Sequence, residues 1–524
     1  MLGAYLNAKA NLESGLKPSK ESIAHNILTI HRELPESGKI GLIIFCVLFI
    51  TYAYFLQDYG NDNIVTRMGL NLSILRTGTL KINEFHEATG DKSYFNGDYY
   101  SDKAPGMSFT SLPITAASYY ILLLFDPNPV FLIGNLVTDT FRLLIYFSTV
   151  LTSGLTTAIT ALLLYTIALQ LGSGIRGAVF AMVSFGLGTL AWGWATVMFG
   201  HALTGACLFF GFSAIFYASN YKDDKTKLRI LGFTGGASLA WAIVVEYPAA
   251  IASGMIALYG LYEIMAWQRD SRIQFLSFFS SGFLLFIMPL FIHNTLAFGS
   301  PLSIGYGYEQ GFEGLQEGVF GVTFPKLTRI YYLVISPYRG LLWFSPILLL
   351  SPIGIYLLWR NPKTRGLALL ITGISVYYIL LNSAYIYWNG HASTGPRHII
   401  PIIPFLSLPI SLVWLRARAS HKPILVGLFT ISFLISLISV SVSILSHPEI
   451  QNPLFDLLIP GFIHGEGRNL IFSVFMRIIP FIGSNPEKIS LAGHLSKLPI
   501  LLVWLSGYFL VANRIDKTGT VSTD

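Results

Sequence analysis

The chain is short of charge. Of its 524 residues only 12% are Asp, Glu, Lys or Arg, against 53% hydrophobic. A soluble globular chain carries about 25% charged residues. Half that share cannot cover a water-exposed surface, and the mean hydropathy of +0.59 agrees. The shortage excludes a soluble enzyme, a disordered chain and a nucleic-acid-binding module. Cysteine is nearly absent: Cys46 and Cys207, both inside apolar runs, make neither a disulfide framework nor a CxxC metal site. There is no Walker loop, no HExxH motif and no nucleophile elbow. Gly305-Tyr306-Gly307-Tyr308 is no nucleotide loop, because no strand–helix unit surrounds it. No internal repeat is visible, and the matching halves with interrupted helices expected of an inverted-repeat transporter are missing.

What is present is a series of apolar runs. Crossing a bilayer takes roughly 17–25 residues. Runs of this kind lie near 40–57, 141–169, 175–191, 201–219, 229–247, 248–267, 274–297, 340–359, 366–387, 398–415, 423–445 and 496–512. Residues 1–39 are polar and mixed in charge, unlike a cleavable signal peptide. One further run, 105–125, opens with Pro105-Gly106 and contains Pro113. Its status follows from the net charge of +7. Lys and Arg accumulate in cytoplasmic loops. The basic loops are Lys222, Lys225, Lys227 and Arg229; Arg269 and Arg272; Arg360, Lys363 and Arg365; Arg416, Arg418 and Lys422; and Arg514 with Lys517. All fall on the side of the N-terminus only if 105–125 does not span, so that run is expected to lie along the outer surface.

The expected architecture is an all-α polytopic membrane protein with about twelve spans and both termini cytoplasmic. Residues 1–39 form a cytoplasmic segment. Residues 40–300 form a transmembrane module with a large outer loop, 58–140. Residues 301–524 form a second module with outer loops 298–339, 388–397 and 446–495. A loop as long as the first is usually functional or disordered. Its aromatic content, Tyr94, Phe95, Tyr99 and Tyr100, favours order.

Several ionisable residues then map to the outer face. Asp58 and Asp62 follow the first span, and Asp102 and Lys103 precede the surface helix. A carboxylate at the interface suits a general base towards a hydroxyl; a solvated loop acid is the plainer alternative. A lysine at a helix entrance opposes the macrodipole and suits a phosphate, or it snorkels to the interface. His391, Arg397 and His398 crowd the loop Trp388–His398, and Arg339 sits in Ser336-Pro337-Tyr338-Arg339-Gly340. Arginine offers a planar fork to phosphate, although both arginines also fit as interfacial anchors. Glu246 and Tyr247 end one span and His201 begins another on the same side. Intramembrane ionisable residues are functional candidates by default. An outer cavity lined by carboxylates and cations fits a lipid-borne phosphate ester.

These residues resemble the GT-C superfamily of polytopic glycosyltransferases, in the branch with protein O-mannosyltransferases and the aminoarabinose transferase of lipid A. The resemblance covers most of the chain and is strongest over 40–250. In that branch an acid follows the first transmembrane helix, and a Glu-Lys-Pro-Pro-type motif ends the first outer loop. Asp62 matches the acid and Asp102-Lys103-Ala104-Pro105 the motif. Other GT-C members carry a run like Tyr99–Gly106 and an element like Gly395-Pro396-Arg397. This chain departs from the branch in having Asp102 for Glu, Ala104 for Pro, and a first acid set in Asn61-Asp62-Asn63 rather than in an acidic pair.

The resemblance implies a GT-C-like fold, with Asp62 (with Asp102, or Asp58 as rival) as catalytic base, and Lys103 on the phosphate of a polyprenyl-phosphate donor. Arg397, Arg339 and His391 would assist at that phosphate. Some members hold a divalent metal between the two acids, which here would be Asp62 and Asp102. The expected activity is an inverting glycosyltransferase of the cell envelope, moving sugar to a hydroxyl on a lipid, glycan or protein. Asp62→Asn is then expected to abolish transfer. A transporter or flippase of an anionic glycolipid, or a non-catalytic assembly subunit, are the competing readings.

Overall fold

A computed structural model describes residues 35–57, 60–467 and 486–520. The polar segment before residue 35, Asp58 and much of the third outer loop lie outside the described residues.

The architecture is all-helical apart from two short hairpins. The first outer loop, between helix α1 (Glu36–Tyr54) and helix α4 (Asp139–Gln170), is ordered over its described length. It contains α2 (Asp62–Thr77), strands β1 (Lys92–Phe95) and β2 (Asp98–Ser101), α3 (Gly106–Leu123), and a second hairpin of β3 (Leu132–Ile133) with β4 (Leu136–Val137). After α4 come α5 (Gly174–Leu187), α6 (Gly200–Ala218), α7 (Lys225–Val245), α8 (Ala249–Ile264) and α9 (Arg269–Phe298). The second half carries α10 (Leu327–Val334), α11 (Pro346–Arg360), α12 (Arg365–Ala384), α13 (Arg397–Arg416), α14 (Ala419–Val442), α15 (Leu454–Ile463) and α16 (Ser490–Asp516).

Among the described residues nine helices are long and apolar enough to cross a bilayer. The expected spans at 175–191, 248–267 and 340–359 correspond to the shorter apolar helices α5, α8 and α11. The chain is therefore an integral membrane protein of the expected class. The run at 105–125 is the helix α3, which is not among the candidate spans.

Helix direction places the loops. Helix α6 runs towards the basic loop at 222–229 and α7 returns from it. Helices α8 and α9 meet at Arg269–Arg272, and α12 and α13 begin and end at basic loops in the same way. Arg514 Nη1 donates to Glu36 Oε2 at 2.7 Å, so the start of α1 and the end of α16 sit together. Tight packing fixes these directions. In α7 and α9 the backbones meet at Gly236 and Gly282, where an added Cβ would collide with the carbonyls of Phe279 and Phe233. Small residues allow such close approach between membrane helices.

Candidate active site

The end of the bundle away from the basic loops holds a cavity of about 400 Å³. That lies within the usual range for ligand sites, about 300–1,000 Å³. Its walls come from helix ends: His201 opens α6, Glu246 and Tyr247 follow α7, Pro248 and Ile251 lie at the start of α8, and Arg397 opens α13. Asn63 and Arg67 of α2 and Lys103 before α3 complete the polar wall. The lining also includes the apolar and aromatic side chains of Val319, Phe320, Tyr377 and Leu381.

The α2 wall follows from a helix start. Asn61 caps α2, its side chain accepting from Asn63 N at 3.0 Å. Side chains in the first turn face different ways. Asn63 is buried and lines the cavity, whereas Asp62 is exposed. Asp62 Oδ1 accepts from Gly90 N at 2.9 Å, and its carbonyl accepts from Thr89 Oγ1 at 2.9 Å. Asp62 thus ties down the loop before β1.

Asp102 and Lys103 sit together at the other end of that loop. Lys103 Nζ lies 2.6 Å from Asp102 Oδ2 and 3.1 Å from Asp91 Oδ1. Asp102 is 0% exposed and its Oδ1 has no hydrogen-bond partner among the described residues. Burial raises its carboxyl to about 7; the Lys103 charge opposes that shift and the Asp91 charge adds to it. Burial lowers the Lys103 ammonium, but the Asp102 and Asp91 carboxylates outweigh this, and its pKa ends above the ordinary lysine value.

Asp91 was not read from the sequence. Its signal was the Asn96-Gly97 pair, with φ of 51° and 91°. Both residues have the positive φ that a two-residue hairpin turn requires. The register pairs Lys92 with Ser101, so the flanking residues Asp91 and Asp102 emerge side by side. Arg67 was also missed. It is 4% exposed and donates from Nε to Asn63 Oδ1 at 2.9 Å. Burial lowers its pKa while Glu246, Tyr306 and the nearby aspartates raise it. Nothing in its local sequence, Thr66-Arg67-Met68, marks it.

The predicted cations divide. Arg397 lines the cavity, with Cζ 5.2 Å from the centre of the Phe199 ring, and its buried Nε has no hydrogen-bond partner among the described residues. Arg339 is 0% exposed but faces elsewhere. It donates to the carbonyls of Asn389 (3.1 Å), Tyr338 (3.0 Å) and His391 (3.2 Å), and to Ser446 Oγ at 3.4 Å. It therefore braces the 388–397 loop. His391 is exposed, has φ of 50°, and packs between Phe312 and Tyr387. Of the expected phosphate ligands, only Lys103 and Arg397 line the cavity.

His201 and Glu246 form a pair in the wall, with His201 Nδ1 2.5 Å from Glu246 Oε1. The atoms are close, although the alignment falls short of a regular hydrogen bond. The His201 ring packs edge-on against Trp194 at 5.5 Å and His398 at 5.3 Å.

Asp62 and Asp102 do not present a metal pocket: one is exposed and bonded to Gly90, and the other is buried on Lys103. Among the described residues no three His, Cys, Asp or Glu side chains group to hold a metal.

The chain is similar in fold to two membrane glycosyltransferases. One is ArnT from Cupriavidus metallidurans bound to undecaprenyl phosphate, at 13% identity and a TM-score of 0.47, over 90% of this chain and 77% of that one. Its apo state gives 14% and 0.48 over the same shares. The other is the apo Archaeoglobus fulgidus oligosaccharyltransferase, at 9% and 0.45 over 78% of this chain and 57% of that one. Both are GT-C proteins. No family model matches the chain, and no curated protein matches it in sequence.

Proposed function

We propose that the chain is an inverting glycosyltransferase that moves a sugar from a polyprenyl-phosphate donor to a hydroxyl acceptor on the extracytoplasmic face. The observation that carries this reading is the pair Arg67 and Arg397. Arg67 is buried and Arg397 half-buried with its Nε enclosed; both line one cavity, and neither has a carboxylate within ion-pair distance among the described residues. Buried cations without counter-ions are costly, and a phosphate relieves that cost with charge-assisted bonds. The apolar wall at Ile251, Leu381 and Phe320 suits the first isoprene units. The cavity lies at the bundle end opposite the basic loops, and the charge rule makes that end the outer one.

In this reading the acceptor oxygen attacks the anomeric carbon and the carbon–oxygen bond to phosphate breaks. The departing phosphate gains charge, which Arg67, Arg397 and the Lys103 ammonium stabilise in a site preorganised for it. Comparative mass spectrometry of glycolipids and surface glycans, with and without the gene, tests the reading. Loss of one sugar from one acceptor is expected. In proteoliposomes, release of polyprenyl phosphate marks transfer, whereas movement of the intact glycolipid across the bilayer supports a flippase instead.

A further inference from the structure

We propose that Glu246, positioned by His201, is the general base that takes the acceptor's hydroxyl proton. This rests on the transferase reading above. The resemblance assigns that role to the acid after the first span, but the structure turns a neutral amide, Asn63, into the cavity at that point and leaves Asp62 exposed on Gly90. Asp91 and Asp102 are both tied to Lys103 and neither lines the cavity. Among the described residues, Glu246 is the one carboxylate in the cavity wall.

Its placement is built. Glu246 ends α7 in an extended conformation (φ −150°, ψ 121°), which takes it out of the helix at the cavity. Gly200 leaves room for it: a Cβ there would lie 2.7 Å from Oε1. His201, from the next position, lies against the carboxylate with Nδ1 2.5 Å from Oε1, and its ring packs against Trp194 and His398. A carboxylate seated against a second side chain, in one cavity with Arg67 and Arg397, has the arrangement of a base facing a leaving group.

The step balances. The acceptor O–H proton passes to Glu246, the acceptor oxygen bonds to the anomeric carbon, and the electron pair of the broken bond leaves on the polyprenyl phosphate. His201 acts through Glu246 and is a positioning residue.

The test compares full-length wild type with Glu246→Gln, Glu246→Asp and His201→Ala. Each variant complements a strain lacking the gene, with glycan mass spectrometry as the readout. Each purified protein is also titrated with undecaprenyl phosphate. Glu246→Gln is expected to lower product by roughly 100-fold or more, the scale of a general base, and to bind undecaprenyl phosphate as tightly as wild type. Glu246→Asp is expected to restore part of the product. His201→Ala is expected to lower turnover and move the acid limb of the pH profile, with binding kept. Normal product from Glu246→Gln, or parallel loss of product and binding, overturns the assignment. Asp62→Asn abolishing transfer while Glu246→Gln retains it returns the role to Asp62. A wild type that restores no sugar overturns the transferase reading itself, and the base assignment with it.

Discussion

Arg67 Nε donates to Asn63 Oδ1 at 2.9 Å, across one turn of α2, and both side chains line the same cavity. The amide holds the guanidinium without neutralising it. Arg397 reaches the same cavity with no acid on it among the described residues. A charge-assisted hydrogen bond contributes about 1.5–3 kcal/mol. Arg397→Ala is therefore expected to weaken undecaprenyl phosphate binding by roughly 10-fold to 100-fold, and Arg67→Gln by a similar amount. Arg397→Lys should recover only part, because an ammonium lacks the planar fork. Titration of the purified protein measures each change.

Arg339→Ala should behave differently. Its guanidinium serves three carbonyls and Ser446, all of them in the fold and none in the cavity wall. Each buried group left unsatisfied costs about 1–3 kcal/mol. The expected result is a lower thermal unfolding midpoint. The folded fraction should lose less undecaprenyl phosphate affinity than Arg397→Ala does.

The Asp102 carboxyl gives a pH signature. Burial raises its folded pKa to about 7, above the roughly 3.9 of an unfolded aspartate. The folded protein therefore takes up a proton as pH falls through about 7. Lys103, whose pKa is raised, keeps its own proton. Below that pH the Lys103 ammonium in the cavity wall loses the negative charge paired with it behind the wall, and anion affinity should rise. A dialkyl phosphate, whose single charge does not change over this range, is expected to bind more tightly as pH is lowered. Asp102→Asn should flatten that dependence. A wild-type profile with no step between neutral and mildly acid pH would contradict this.

Gly200→Ala tests the Glu246 geometry without touching a charge. The added Cβ would lie 2.7 Å from Oε1 and 2.9 Å from Cγ of Glu246. Both belong to a flexible side chain, so the carboxylate moves and the backbone stays. Transfer should fall by roughly 10-fold or more, short of the roughly 100-fold expected when the base itself is removed, with the unfolding midpoint little changed.

Composition and charge placement were enough to determine the class of this chain. Twelve percent charge forces the helices into lipid, and basic residues gathered in short loops set the orientation expected for them. Those signals are local, because a span or a basic loop is written in consecutive residues. The same signals set the expectation of a site at the end away from the basic loops, the end at which the cavity lies. Which side chains share the cavity did not follow.

Asp62 and Asn63 are neighbours in sequence, yet the turn of one helix sends the acid to solvent and the amide inwards. Asp91 joins Asp102 only because a hairpin register brings them level, although the Asn96-Gly97 turn announced that hairpin. Arg339 and Arg397 look alike as exceptions to the sidedness rule. One donates to loop carbonyls and the other lines the cavity, a distinction made by partners fifty or more positions away. Glu246 meets His201 across forty-five residues, at the ends of two antiparallel helices. Hydropathy selects the medium and the spans one segment at a time. The direction of a side chain, and the partner that claims it, depend on packing between distant segments, which only the tertiary structure decides.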